Sequence, residues 1–257
     1  MTGLQTLHRP TSRDEDWRYA AAAFLADAPV SDMLAWTEIT VPAGETLCDT
    51  LHLGDGTSAP GAAIRHRVHV GRDARFEYFA TLTGGPYLRL ELEVTLEEGA
   101  HFEFGGVTLG GDDKVQEFVT RVIHAQPNAT SNQVVRTVQW GRATGNFLGR
   151  VEVVRDAQKT DAGQNFRAIL LERGASANAK PELEIFADDV KCAHGAAIGE
   201  LDQMIAFYMA ARGLSPAAAR KLQVQAFIAD AFAAVEDESV RETMLNRALD
   251  ELDKAAL

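Results

Sequence analysis

Cysteine is scarce in this 257-residue chain: there are two, Cys48 and Cys192, far apart in sequence. Two distant thiols make no disulfide framework, and such scarcity fits a reducing, cytoplasmic setting. A zinc site of four cysteines is excluded by count. A finger of two cysteines and two histidines is excluded by spacing. Positive charge is in deficit, with 25 Lys and Arg against 37 Asp and Glu, a net of −12. A protein that tracks phosphates needs a basic surface, so nucleic acid is not an expected partner. An anionic membrane surface is disfavoured for the same reason. No apolar run approaches the roughly 18 residues of a spanning helix. The stretch from Met1 to Trp17 mixes charges of both signs and does not read as a secretory signal. Catalytic signatures are missing too. There is no G-x-x-x-x-G-K-[ST] phosphate loop, no G-x-S-x-G elbow and no H-E-x-x-H helix. The pairs Gly84-Gly85, Gly105-Gly106 and Gly110-Gly111 lack the spacing of a dinucleotide fingerprint.

What is present is an ordinary globular composition, 46% hydrophobic and 24% charged, arranged in three regions. Residues 1–32 are mixed, with a short helix expected around Asp14 to Leu25 before Pro29 and Ser31-Asp32 break the pattern. Residues 33–196 read as many short strands. Leu88, Leu90, Leu92, Val94 and Leu96 alternate strictly with Arg89, Glu91, Glu93, Thr95 and Glu97. That period predicts one face inside and the other in water. Phe76, Tyr78, Ala80 and Leu82 alternate likewise. Further strands are expected at Ile64–Val70, His101–Val107, Val115–His124, Val134–Trp140, Phe147–Val154, Phe166–Leu171 and Leu183–Phe186. Turn signals such as Gly54-Asp55-Gly56, Gly71-Arg72-Asp73 and Pro127-Asn128 separate them. A mainly β body follows, and the pattern suits a sandwich, a barrel or a β-helix. Residues 197–257 change to helical period. Leu201, Ile205, Tyr208 and Met209 form one stripe, ended by Arg212-Gly213. Ser215-Pro216 opens a second helix with Val224, Phe227, Ile228, Ala231, Phe232 and Val235 on one side. A third is expected over Glu238–Leu252. The residues alone favour core packing within the tail for these stripes over a partner surface.

Few residues carry the marks of chemistry. Cys192 and His194 point the same way if 190–194 are extended. A thiolate and an imidazole on one face suit iron, zinc or copper(I), but two ligands need others from elsewhere. The residues alone favour the blander alternative of an apolar thiol and a backbone-bonded imidazole. His66 and His69 lie three apart on a strand, face opposite ways and cannot chelate one metal; both read as surface histidines. Cys48 reads as a core or loop residue. Glu200 and Asp202 suit the positive end of a helix. The acid pairs Glu97-Glu98 and Asp112-Asp113 belong to solvated turns.

The run from Pro181 to Asp202, with Ala187-Asp188-Asp189-Val190-Lys191-Cys192-Ala193-His194-Gly195 at its centre, resembles the SufB/SufD family of the SUF iron–sulfur cluster assembly system. So do Phe207-Tyr208, Ala211-Arg212-Gly213-Leu214, Asn146-Phe147-Leu148-Gly149, Asp16-Trp17-Arg18-Tyr19 and the stretch around Gln164-Asn165. Gly195 after His194, and the lack of a cysteine-rich segment, are more like SufD than SufB. The resemblance implies a right-handed parallel β-helix with a C-terminal α-helical domain. It implies a non-enzymatic scaffold that pairs with a SufB-type subunit near residues 183–195. The SufC ATPase would dock on the C-terminal helices, supplying the nucleotide site this chain lacks. The family's functional Cys and His map onto Cys192 and His194, which would hold iron or a nascent cluster shared with the partner. Tyr208, Arg212, Gly213, Phe227 and Phe232 are expected at a partner interface. The chain is short for the family, lacking most of an N-terminal helical region and several β-helix turns, and a homodimer is an alternative pairing. Two rival readings are a purely structural subunit that positions the ATPase without metal and a carbohydrate-active enzyme on a β-helix.

Overall fold

The computed structural model describes residues 8–54 and 56–254. Residues 1–7 of the expected N-terminal segment, Asp55 of one turn signal and residues 255–257 of the expected helical tail lie outside the described residues. Among the described residues, twelve strands alternate between two parallel sheets of six. The first sheet takes β1 (Thr37–Val41), β3 (Ala62–Val70), β5 (Tyr87–Leu96), β7 (Val115–His124), β9 (Thr144–Val153) and β11 (Ser176–Ile185), in that order. The second takes β2 (Thr46–Leu53), β4 (Arg75–Leu82), β6 (His101–Gly110), β8 (Thr130–Gln139), β10 (Asp161–Leu170) and β12 (Lys191–Gly199). Each coil therefore lays one strand in each sheet, and about six coils make a β-solenoid. Strand partners in successive coils stand 26 residues apart at Ala62 and Leu88 and 32 apart at Thr144 and Ser176. That drift is why the sequence shows no clean repeat.

The bends between sheets explain where Gly, Asp and Asn fall. Gly44, Asp73, Gly99 and Asn128 take equivalent places in four successive bends, all with positive φ. These are the residue types that reach the left-handed region most readily. Each bend bonds the next: Gly44 N–H to the Arg72 carbonyl, Asp73 to Glu98, Gly99 to Pro127 and Asn128 to Gln158. The backbone groups of the bends are thus satisfied coil on coil, as buried or half-buried amides require.

Side chains that alternate inward fill the solenoid. Phe76 stacks on Phe102 with ring centres 5.7 Å apart, and Phe104 meets Phe118 edge-on at 5.3 Å. Leu88, Leu90, Leu92, Val94 and Leu96 line the opposite wall, all fully buried. Their alternate set faces water only in part, at Glu93, Thr95 and Glu97, which are half-exposed. Arg89, Glu91 and Tyr87 are buried as well, because the N-terminal segment lies over them. That segment holds a 3-10 turn at Glu15–Trp17 and two short helices, α1 (Ala22–Asp27) and α2 (Val30–Leu34), in place of the single expected helix. Trp17, Phe24 and Met33 pack with Tyr87. The Trp17 ring covers the Arg89 guanidinium at 4.1 Å.

After the last strand comes α3 (Gln203–Ala211), and α4 (Pro216–Ala229) and α5 (Glu238–Lys254) then cover the outside of the second sheet. Val224, Ile228, Phe232, Val235, Met244, Ala248 and Leu252 pack with Phe79, Val107, Leu109 and Val138 of the strands and with Trp140 just after β8. Core packing is therefore the right reading of the α4 and α5 stripes, though the core they join is shared with the sheet. Gly105 permits the close approach, since a Cβ there would overlap the Ala231 carbonyl. Arg136, buried on β8, pairs with Asp230 just after α4.

His124 sits inside the solenoid with its Nε2 2.9 Å from the Ser131 hydroxyl. Burial lowers its pKa from 6.5 to about 4. The unfolded chain therefore binds a proton that the folded chain refuses between those values. The folded state keeps its full stability above pH 6.5 and loses it as the pH falls towards 4. Urea unfolding at pH 8 and pH 5 should show a fall of about 2 kcal/mol that His124→Gln removes.

The expected surface histidines divide between the two faces. His69 faces out and meets Glu97 at 3.1 Å. His66 is half-buried beside the Tyr78 ring, so it is not a surface residue. Its inward parity on β3 is the reason. Cys48 likewise differs from expectation: it is exposed on β2, the outermost strand of its sheet.

Candidate functional site

Both sheets end at the same end of the solenoid, on β11 and β12. β12 pairs with β10 on one side only; Ala162 faces Cys192 and Gln164 faces His194 across the ladder. Lys191 and every residue from Ala193 to Gly199 are exposed, whereas the equivalent positions two coils earlier on β8 are mostly buried. Ile185, Phe186 and Ile198 add exposed apolar side chains to this rim. An unpaired strand with exposed apolar neighbours is a template for another chain.

The expected extension of residues 190–194 is what the strand provides. Cys192 and His194 share the parity of Ala162 and Gln164, both buried, and so belong to the inward-facing column at the mouth of the solenoid. Cys192 is half-buried and packs with Ala162, Val151 and Val153. Burial raises its thiol pKa, the Asp161 carboxylate adds to this, and the Ala162 backbone offsets part of it. The thiol is therefore protonated at neutral pH, and a metal would have to displace that proton. His194 is exposed at the open end. Among the described residues no three His, Cys, Asp or Glu side chains converge as a metal site. A sulfur and an imidazole are donor types that suit iron and its clusters.

Below the mouth the interior turns polar. Gln133 and Gln164 occupy the same column as His194, where Phe104 and Tyr78 stand in earlier coils. Sequence reading missed these amides because a single Gln on a strand of mixed character gives no signal of which way it points.

α3 stands apart from α4 and α5. Asp202 caps it, accepting from the N–H of Met204 at 2.8 Å and of Ile205 at 3.2 Å. None of its residues is buried. Met204, Ile205, Phe207 and Tyr208 are exposed, with Phe207 at 71%. Of the expected stripe, Ile205 and Tyr208 therefore do not pack into a core, because α3 has no sheet beneath it; Met209 is half-buried, and Leu201, ahead of the helix, does pack against the core of the second sheet. Arg212 stacks on Tyr208 at 5.0 Å, and Gly213, with φ of 89°, ends the helix. A cleft of about 370 Å³ between α3 and α4 is lined by Leu201, Ala206, Phe207 and Ala210. Of the residues expected at a partner interface, Tyr208, Arg212 and Gly213 lie on or at the end of this exposed helix. Phe227 is half-buried beside Arg136. Phe232 is a correction: it is fully buried against its own second sheet, because the turn after α4 directs it there, and it presents no surface to a partner.

Residues 59–227 match the family model of the SUF system FeS cluster assembly SufBD core domain. The chain belongs to the SufBD family. Within it the likeness is to SufD. The iron–sulfur cluster assembly protein SufD of Escherichia coli is 30% identical over 179 residues, covering 69% of this chain and 42% of that protein. A SufBD family protein of Synechocystis is 34% identical over 158 residues, 61% of this chain and 35% of the other. Plasmodium falciparum SufD is 28% identical over 187 residues, 72% of this chain and 13% of the other. This SufBD chain thus spans less than half the length of these relatives. The matched stretch holds the solenoid from β3 to β12, α3 and most of α4. No helix among the described residues is long and apolar enough to cross a membrane.

Proposed function

We propose that this chain is a non-enzymatic, cytoplasmic scaffold subunit of an iron–sulfur cluster assembly complex. It pairs end to end with a second SufBD-type subunit through β11 and β12. His194, with Cys192, then contributes ligands to iron or a nascent cluster that the partner's ligands complete. The SufC-type ATPase docks on the exposed face of α3. One observation supports this reading: the solenoid stops on β12, paired on one side only, with an imidazole and a thiol on one face at its mouth. The same edge can receive a second copy of this chain, and copy and partner differ in which ligands they bring.

In the complex reconstituted with its partner and ATPase, His194→Ala should lower bound iron and sulfide by an order of magnitude or more. Circular dichroism and complex size should stay unchanged, because the side chain is exposed. Unaltered iron and sulfide would remove the metal role. The second reading, a metal-free subunit that positions the ATPase, draws on the protonated thiol. It gains the field if Cys192→Ser and His194→Ala together leave iron intact while α3 variants abolish assembly.

A further inference from the structure

Gln164 is out of place on stability grounds. It is 3% exposed, and neither its carboxamide oxygen nor its nitrogen has a hydrogen-bond partner. Amides buried in this state carry the full cost of lost hydration. An apolar residue of the same shape would suit the column better, and two earlier coils place aromatic rings there, Phe104 and Tyr78. Room is nevertheless kept for the amide. Gly149 on the facing wall bears no side chain, and a Cβ there would meet both the Phe147 ring at 2.5 Å and Gln164 Nε2 at 2.8 Å. One coil below, Gln133 is held by the Thr120 hydroxyl, which donates to its Oε1 at 2.6 Å. Gln133 is thereby fixed and Gln164 is not. What lies directly above Gln164, one rung up the ladder and on the same inward face, is His194. Adjacent strands stand about 4.8 Å apart, a span that a carboxamide and an imidazole on one face can bridge.

We propose that Gln164 is the positioning residue for His194: its buried carboxamide oxygen accepts a hydrogen bond from the inward ring nitrogen and so fixes one imidazole tautomer, with the other nitrogen's lone pair directed out of the mouth. Reaching this arrangement takes only a turn of the exposed His194 side chain over an amide that has no competing partner. Histidines that serve metals are commonly oriented this way by an acceptor behind the ring. The inference rests on the reading of His194 as a ligand for its purpose, but not for its geometry.

The test therefore separates the two. Long-range 15N spectra of the full chain at pH 8 report the His194 tautomer, with His194→Gln assigning the signals. The parent protein should show one dominant tautomer. Gln164→Met, which keeps the volume and removes the acceptor, should give a mixture, and Gln164→Glu, which keeps an acceptor, should restore a single form. The melting temperature of Gln164→Met should be unchanged or higher, whereas a merely structural amide would lose stability. Cobalt(II) binding by the partnered complex should weaken about tenfold in Gln164→Met. An unaltered tautomer in Gln164→Met overturns the proposal. A shifted tautomer with cobalt binding insensitive to His194→Ala upholds the positioning and overturns the ligand role instead.

Discussion

Arg89→Met is expected to lower the stability of the chain by about 3–5 kcal/mol, the cost of stranding buried carboxylates. Arg89 is fully buried, and its guanidinium pairs with Glu117 at 2.6 Å and Glu91 at 2.7 Å. It also donates to the Asp16 carbonyl at 2.7 Å, and Tyr87 donates to Glu117 at 2.8 Å. Arg65 holds Glu91 from the other side at 2.8 Å. Removing Arg89 leaves Glu117 as a buried charge with only a phenol beside it, so Glu117 bears most of the loss. It also unfastens Asp16 and Trp17, so the N-terminal segment should lose protection first in hydrogen exchange. Adding Glu117→Leu should recover much of the loss in urea unfolding, because an apolar pair of similar volume is often no less stable than a buried ion pair. Glu91 adds to the acid limb below that of His124. Burial disfavours its charge, but Arg89 and Arg65 outweigh this and hold its pKa below 4.5. Its contribution is present above pH 4.5 and lost as the pH falls through the depressed folded value.

Phe207→Asp is expected to abolish docking of the ATPase while leaving the fold intact. The ring is mostly exposed on α3, so the substitution should change stability by less than about 0.5 kcal/mol. If the α3 face is the docking surface, a charge at its most exposed aromatic should cost more than about 2 kcal/mol of binding, roughly thirtyfold or more in Kd. Titration calorimetry with the ATPase measures this directly. Phe232→Ala makes the contrast: it should destabilise the chain by about 3–5 kcal/mol, since the ring is core. A surface role and a core role thus part on two aromatic residues of the same C-terminal region.

That contrast shows how far the sequence carries the structure. Strict alternation located β5, and Val115–His124 is the expected strand to the residue. The parallel pairing came from the family resemblance, because alternation is the same in a sandwich. β1 and β2 escaped notice: they begin the solenoid, and β2 alternates too little to stand out. The outward charges of β5 looked solvated because nothing in their spacing shows that Trp17, some seventy residues earlier, covers them. On the helices, the stripe of α3 resembled those of α4 and α5, yet only the latter two have a sheet beneath them. At the site, the parity of Cys192 and His194 was legible from spacing alone. The column of amides behind His194 was not, since which Gln faces inward depends on strand register.

The central claim is that the β12 end is where a second subunit closes over His194. A photo-reactive phenylalanine derivative in place of Ala193, exposed between Cys192 and His194, puts that claim to the most direct test in the co-purified complex. The account predicts a cross-link to the end strands of a SufBD-type partner or of a second copy. A cross-link to the ATPase alone, or none from an intact complex, would contradict it.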